Sequence, residues 1–257
     1  WSNQGLLRAT AGTLRLEGGL TNGGTIRAEG TGTARITGAG FVQQGVFEAR
    51  SGGLARVENG AALTNAGTLL AGANGRIEAA NGLTQTGAGV VEVELAGLTT
   101  SQFGRLTITG AAALDGVLRL TPVNGFTPDW GDAWTIMTFG SRTGDFATFD
   151  MPTLADADWT WWTEANATTY RVGVRHIADL NYDGTINFGD LNIVLGNYNM
   201  AGTALQGDIS GDGLINFTDL NIVLGLFNQT APANLVPAPG SVALLGLIGG
   251  QALRRRR

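Results

Sequence analysis

The residues best placed to do chemistry begin at Asp179. The run Asp179-Leu180-Asn181-Tyr182-Asp183-Gly184-Thr185-Ile186-Asn187-Phe188-Gly189-Asp190 sets oxygen-bearing side chains at positions 1, 3, 5 and 12 of a twelve-residue loop, with glycine at position 6. Ca²⁺ is a hard cation that takes six to eight oxygens, so alternate residues of a tight loop can turn inward on it. Gly184 permits the sharp turn and Thr185 offers its backbone carbonyl at position 7. Asp190 can give both carboxylate oxygens where an EF-hand usually has Glu. The loop returns 29 residues later as Asp208-Ile209-Ser210-Gly211-Asp212-Gly213-Leu214-Ile215-Asn216-Phe217-Thr218-Asp219. Segments 186–199 and 215–228 agree at 11 of 14 positions, so a coincidental pair of Asp/Asn turns is a poor account of them. Two bound Ca²⁺ ions are expected.

A helix must hold each loop. Leu191, Val194, Leu195 and Tyr198, and in the second copy Leu220, Val223, Leu224 and Phe227, recur at i, i+3, i+4 and i+7, the stripe of an amphipathic helix. No helix precedes either loop, because 172–175 reads as strand and Ala201-Gly202-Thr203 breaks the chain. Residues 178–229 are therefore expected to form a small all-α calcium module of two loop–helix units. Asp at position 12, Asn at position 9 and the near-duplicate arrangement resemble the type I dockerin module.

The resemblance implies that calcium folds the module and that its duplicated surface docks on a cohesin-like module of a partner protein. It implies ligands Asp179, Asn181, Asp183, Thr185 (carbonyl) and Asp190, then Asp208, Ser210, Asp212, Leu214 (carbonyl) and Asp219. Asn187 and Asn216 would act directly or through water. Partner choice in the family rests on positions 10 and 11, here Phe188-Gly189 and Phe217-Thr218, where cellulosomal dockerins carry small polar residues. Ile193 and Ile222 fall off the helical stripe; they either extend the partner patch or pack on this chain's own cap domain.

Upstream the chain repeats. Arg15, Arg35, Arg56 and Arg76 are spaced 20, 21 and 20 apart, and Glu17, Glu58 and Glu78 follow three of them. Asn22, Gln43, Asn65 and Gln85 keep the same beat, each with a glycine two residues on and then a short alternating run such as Thr25-Ile26-Arg27-Ala28. A unit of about 20 residues cannot bury its own apolar face and must stack as one rung of a β-solenoid. The amides would bond one above another along the axis, and the Arg and Glu columns would face solvent. Residues 1–97 resemble the right-handed β-helix passengers of autotransporter-like bacterial surface proteins, which implies export. Residues 3–9 match the second half of a rung, so further rungs and a signal peptide are expected upstream.

From 98 to 177 the beat is lost while strand signals continue, which reads as a β-rich, antiparallel capping domain. Trp159-Thr160-Trp161-Trp162 is there either a sugar-stacking platform or the apolar lid of the cap, and His176 is a surface or packing residue. The last segment, 230–257, joins Pro237-Ala238-Pro239, a 13-residue apolar stretch at 241–253, and Arg254, Arg255, Arg256 and Arg257. The stretch is short of the roughly 20 residues of a membrane span. In this order the parts resemble the PEP-CTERM sorting signal, with Ala238 where that family has Glu. The resemblance implies transient inner-membrane contact before release to the bacterial cell surface.

Composition removes other chemistry. All 16 basic residues are Arg and the formal net charge is −5, which argues against nucleic acid as a partner. The chain has no Cys and one His, so thiolate zinc sites, Cys nucleophiles and His-cluster metals are excluded. Its 41 glycines among 257 residues, with only 6 prolines, mark a fold rich in turns. The expected fold is thus mainly β: a right-handed β-solenoid, a β-rich cap, then the all-α calcium module. The expected function is that of an exported structural or adhesion-type protein without catalytic residues. The alternative is the non-catalytic end of a dockerin-bearing, polysaccharide-degrading enzyme, with a polysaccharide as a further partner.

Overall fold

The computed structural model describes residues 1–39, 41–58, 60 and 63–232. The fold is mainly β, built of short parallel strands stacked coil upon coil, consistent with a β-solenoid. Each early coil supplies three strands, because its runs of alternating apolar and polar residues are short and end at glycine. One stack holds Ser2–Asn3, Thr21–Asn22, Val42–Gln43, Leu63–Asn65 and Leu83–Gln85. A second holds Leu6–Ala9, Thr25–Glu29, Val46–Arg50, Thr68–Ala71, Val90–Leu95, Val117–Pro122 and Thr148–Asp150. The third holds Thr13–Glu17, Thr33–Thr37, Leu54–Glu58, Arg76–Ala79 and Arg105–Leu114.

Parallel register turns the repeat into columns. Leu7, Ile26, Phe47, Leu69, Val91 and Leu118 lie one above another, and all but Leu7 are fully buried. A slip of one residue would carry that column to the solvent face, and each such side chain contributes roughly 1.5–3 kcal/mol by burial, so the register is firmly set.

Glycine sets how closely coils approach. A Cβ at Gly45 would stand 2.0 Å from the Gly24 carbonyl oxygen, whereas one at Gly5, in the same column, meets nothing within 4 Å. Gly45→Ala is expected to cost about 1–3 kcal/mol, the range for forcing a methyl into a filled interior, and Gly5→Ala about 0.5 kcal/mol or less. Urea denaturation of the two variants checks this; equal midpoints would show that contact at Gly45 does not limit the spacing.

The amides stack as their spacing predicts. Asn3 Nδ2 donates to Asn22 Oδ1 at 2.7 Å, Asn22 to Gln43 Oε1 at 2.8 Å, and Asn65 to Gln85 Oε1 at 2.8 Å. Between Gln43 and Asn65 the ladder turns aside: Gln43 donates to the Thr68 carbonyl at 3.3 Å and Asn65 Oδ1 accepts from Gly67 N. The charged columns differ from the expectation. Arg15, Arg35 and Arg56 share a column, but Arg56 lies beside Glu78 and Arg76 beside Leu54. Arg–Glu pairs therefore bridge successive coils, as at Arg27–Glu48 (2.6 Å), Arg35–Glu58 and Arg56–Glu78.

The antiparallel layer expected over 98–177 is confined to the end of that segment. Parallel stacking continues through Arg105–Leu114, Val117–Pro122, Thr148–Asp150 and the later part of Ala133–Gly144. The beat fails because the coils lengthen: Arg76 pairs with Arg105, Val90 with Val117 and Val117 with Thr148, offsets of 29, 27 and 31. The antiparallel part is the hairpin Trp159–Ala165/Thr169–His176, which also pairs with Ala133–Gly144.

That hairpin is a double-sided aromatic plate. Trp161 packs on the solenoid core, 6.1 Å from Trp134, and Trp159 packs on a second apolar cluster formed by Trp130 and residues of 178–231. From its other face Trp162 meets Tyr182 at 5.8 Å, with Arg171 at 5.3 Å over the Trp162 ring. These are the contacts of a lid. Among the described residues, no helix is long and apolar enough to cross a membrane.

Candidate metal centres

The two loops feed helices α1 (Phe188–Gly196) and α2 (Phe217–Gly225); a strand, Thr169–His176, precedes the first loop, whereas one 3₁₀ turn, Ala204–Gln206, precedes the second, where the sequence predicts no helix. Both helices begin with a capping box. Asn187 accepts from Gly189 N, and its own N–H is taken by Asp190 at 2.8 Å; Asn216, Thr218 and Asp219 repeat the arrangement. Position 9 is thus the N-cap and position 12 the third helical residue, a role the sequence reading missed although Asn-x-x-Asp before an apolar run resembles its signature. The capping geometry suits Asp at position 12. The other oxygen of each Asp closes the loop, since Asp190 accepts from Leu180 N at 2.7 Å and Asp219 from Ser210 N at 2.8 Å.

Backbone conformation is duplicated as well. Positions 4 and 6 are left-handed in both copies, at φ 62° and 79° for Tyr182 and Gly184, and 74° and 87° for Gly211 and Gly213. Tyr182 is the strained member, since a side chain in this region costs roughly 1–2 kcal/mol. Its ring is held from outside the loop by Trp162 and by Arg175, whose guanidinium lies 5.2 Å over it. At position 8 the copies are related by symmetry: Ile186 accepts from Asn228 N at 2.8 Å, and Ile215 from Asn199 N at 2.8 Å.

The oxygens differ between copies at position 1. Asp179 is buried, and its Oδ2 accepts from Gly184 N at 3.1 Å and from the Trp130 indole N–H at 3.2 Å. Its Oδ1 is buried without a hydrogen-bond partner. Burial raises the Asp179 pKa; the Trp130 N–H opposes that, and the charges of Asp190 and Asp183 add to it. Asp208 by contrast spends both oxygens on its own loop, accepting from Gly211, Asp212 and Gly213 N–H at 2.9–3.1 Å. Asp183 is held below the usual carboxylate range against partial desolvation, by hydrogen bonds from Asn181, Thr185 N and Asn187. Asp219 is likewise held low, against desolvation, by Ser210 and Asn216 N–H.

Position 9 is also duplicated. The Asn187 amide N–H group donates both to Asp183 Oδ2 and to the Thr185 carbonyl, each at 3.2 Å. Asn216 does the same to Asp212 Oδ2 and the Leu214 carbonyl, each at 3.0 Å. In both loops a partial positive charge sits between the position 5 carboxylate and the position 7 carbonyl, two oxygens a calcium loop would share. Among the described residues, no group of three or more His, Cys, Asp or Glu is gathered tightly enough to hold an ion. The donors here are mixed, with Asn, Ser and backbone carbonyls beside the carboxylates, and the Asp oxygens meanwhile face N–H groups. An orphaned buried carboxylate oxygen, costing about 1–3 kcal/mol while unmet, and an all-oxygen donor set fit a hard cation.

Of the expected partner-facing residues, Phe188 and Phe217 are 67% and 61% exposed, Thr218 is exposed and Gly189 is half-buried. Ile193 and Ile222 are half-buried against the cluster of Trp130, Leu180, Ile186, Val194, Ile215 and Val223. The apolar stripe is narrower than its periodicity suggests. Leu195, Leu224 and Tyr198 are exposed, because each helix ends at its glycine and buries chiefly Leu191 and Val194, or Val223. His176 is a packing residue, 5.2 Å from Trp130, with its pKa lowered by burial. Pro237, Ala238, Pro239 and Arg254–Arg257 lie outside the described residues. No protein-family model matches the chain, and no curated protein matches it.

Proposed function

We propose that this chain is an exported bacterial surface or extracellular structural protein: a right-handed β-helix stalk that presents a calcium-stabilised, dockerin-like docking module. The observation that carries the calcium reading is the buried, unpartnered Oδ1 of Asp179, supported by the cation-like amide in both loops. The ion would be held by Asp179, Asn181, Asp183, the Thr185 carbonyl and Asp190, and by Asp208, Ser210, Asp212, the Leu214 carbonyl and Asp219. When bound, calcium supplies charge neutralisation that lets these carboxylates share one loop. The exposed apolar residues come in duplicated pairs, Phe188 with Phe217 and Leu195 with Leu224, which supports one partner surface of cohesin-like protein chemistry.

The non-catalytic part of the reading is supported by the solenoid carboxylates. All seven Glu between 17 and 94 sit in ion pairs with Arg, so none of them is a free acid or base for glycoside chemistry. Export and surface delivery rest on the resemblance of the 236–257 tail. Calorimetric titration of Ca²⁺ into the full chain tests the core of the proposal. Two ions are expected for the natural sequence, one for Asp183→Ala or Asp212→Ala, and none for the double variant. A chain that takes up no Ca²⁺ at millimolar concentration would end the docking-module reading.

A further inference from the structure

We infer that Trp130 is a positioning residue for the first ion loop, so that this site is completed from the cap and the two duplicated loops bind ions unequally. The inference rests on the calcium reading above. Trp130 stands 49 residues before Asp179, outside the loop–helix repeat, and the repeat offers no counterpart to it in the second copy. Its indole N–H, aimed at Asp179 Oδ2, decides how that carboxylate is turned.

The comparison of the two copies is the argument. In the second loop, Asp208 Oδ1 accepts from Gly211 N at 2.9 Å and Asp212 N at 3.1 Å, and Oδ2 accepts from Gly213 N. Donors thus crowd Oδ1 and one engages Oδ2, so neither oxygen of Asp208 is bare. In the first loop Asp183 N turns instead to Asn181 Oδ1 at 3.0 Å, and both donors of Asp179 gather on Oδ2. Oδ1 is thereby left bare in a buried setting, with no bond to surrender. Outer-shell hydrogen bonds of this kind fix the orientation of a ligating carboxylate.

Trp130 is itself rigidly placed. Its ring is buried against His176 at 5.2 Å and within the apolar cluster of Ala178, Leu180 and Ile186. Its backbone N–H donates to Asp129 Oδ1 at 2.8 Å, and Gly131 N donates to the Val174 carbonyl of the hairpin. A donor so fixed reduces the reorganisation an ion would otherwise require.

The test uses the full chain, with each loop isolated in turn by disabling the other. Ca²⁺ is titrated calorimetrically into Asp212→Ala, which retains the first loop, and into Asp183→Ala, which retains the second, each with and without Trp130→Phe. Phe keeps an aromatic ring in the cluster and removes the N–H together with the rest of the indole. The first loop should bind more tightly than the second, and W130F should weaken the first by roughly 10–100-fold while leaving the second unchanged. Should W130F compromise folding, the unmutated ring still reports. Ca²⁺ should then alter tryptophan fluorescence more, and at lower concentration, in the Asp212→Ala chain than in Asp183→Ala. Equal affinities in the two loops, an unchanged first loop in W130F, or an equal loss in both would overturn the inference while leaving the calcium reading intact. Absence of ion binding in the natural chain would overturn both.

Discussion

Chelating calcium from the full chain is expected to melt residues 178–229 while the parallel stack stays folded. Six Asp side chains stand in the two loops: Asp179, Asp183, Asp190, Asp208, Asp212 and Asp219. Without a cation their mutual repulsion is met only by N–H donors and the Ser210 hydroxyl, and one buried oxygen of Asp179 is met by nothing. Helices α1 and α2 have 9 residues each, too few to persist alone. The apolar cluster that joins them is small beside the continuous solenoid core. An ion present at a hundredfold excess over its dissociation constant stabilises by about 2.7 kcal/mol per site, so two sites supply roughly 5 kcal/mol. For a unit of this size that corresponds to a shift of about 20 °C or more. Calorimetric scans with calcium and with chelator should show a helix-rich transition moving by that amount and a β-rich one holding still. Superimposable scans would remove calcium from the account of stability.

Asn22→Asp should unfold much of the early solenoid near neutral pH although it changes one atom. Asn22 is fully buried; its amide nitrogen donates to Gln43 Oε1 at 2.8 Å and to the Val46 carbonyl at 3.0 Å. An aspartate oxygen there would face two acceptors across a hydrogen-bond distance in a dry interior. Turning the Gln43 amide to donate would abandon the Thr68 carbonyl in the next coil, so the fault would travel along the stack. The expected loss is about 3–5 kcal/mol at pH 7. Burial raises the folded-state pKa of the new acid above its unfolded value near 4, so the folded chain holds the proton more tightly. The destabilisation is therefore small below pH 4 and grows as pH rises through the folded pKa. Urea midpoints measured from pH 4 to 7 should diverge from those of the natural chain in that direction. Parallel curves would mean that the charge at position 22 is not held in a dry interior.

Fold and site were legible where chemistry recurs at short range. The amides at 22, 43, 65 and 85 announce their own column, because a buried amide in one coil needs a partner in the next. The Arg spacing misled at Arg56 and Arg76. The true offset between those coils is 22, and a two-residue shift preserves the in-out alternation while exchanging Arg for Glu as the neighbour. The coils after 98 were hidden for a related reason: an excursion at 96–104, closed by Ala96 N donating to the Gln102 carbonyl, lengthens the coil and breaks a period near 20. The loops announced themselves through their duplication. Trp130 did not, since nothing local connects a tryptophan in an inter-strand turn with an aspartate 49 residues later. Only the packing of the turn against the hairpin brings the two together.

The unequal coil lengths also set how the stack would behave under load. Strands bond only to the coils before and after, so a pull along the axis loads those bonds in series and coils leave one at a time. Amides in the early stack bond over 19 to 21 residues of chain, and each such coil would release about 70 Å of contour when extended. The later coils, with offsets of 27 to 31, would release about 100 Å. A single molecule stretched between its ends would thus yield two families of steps, and the changeover would mark residue 98 as a seam between an extensible arm and its longer-stepping base.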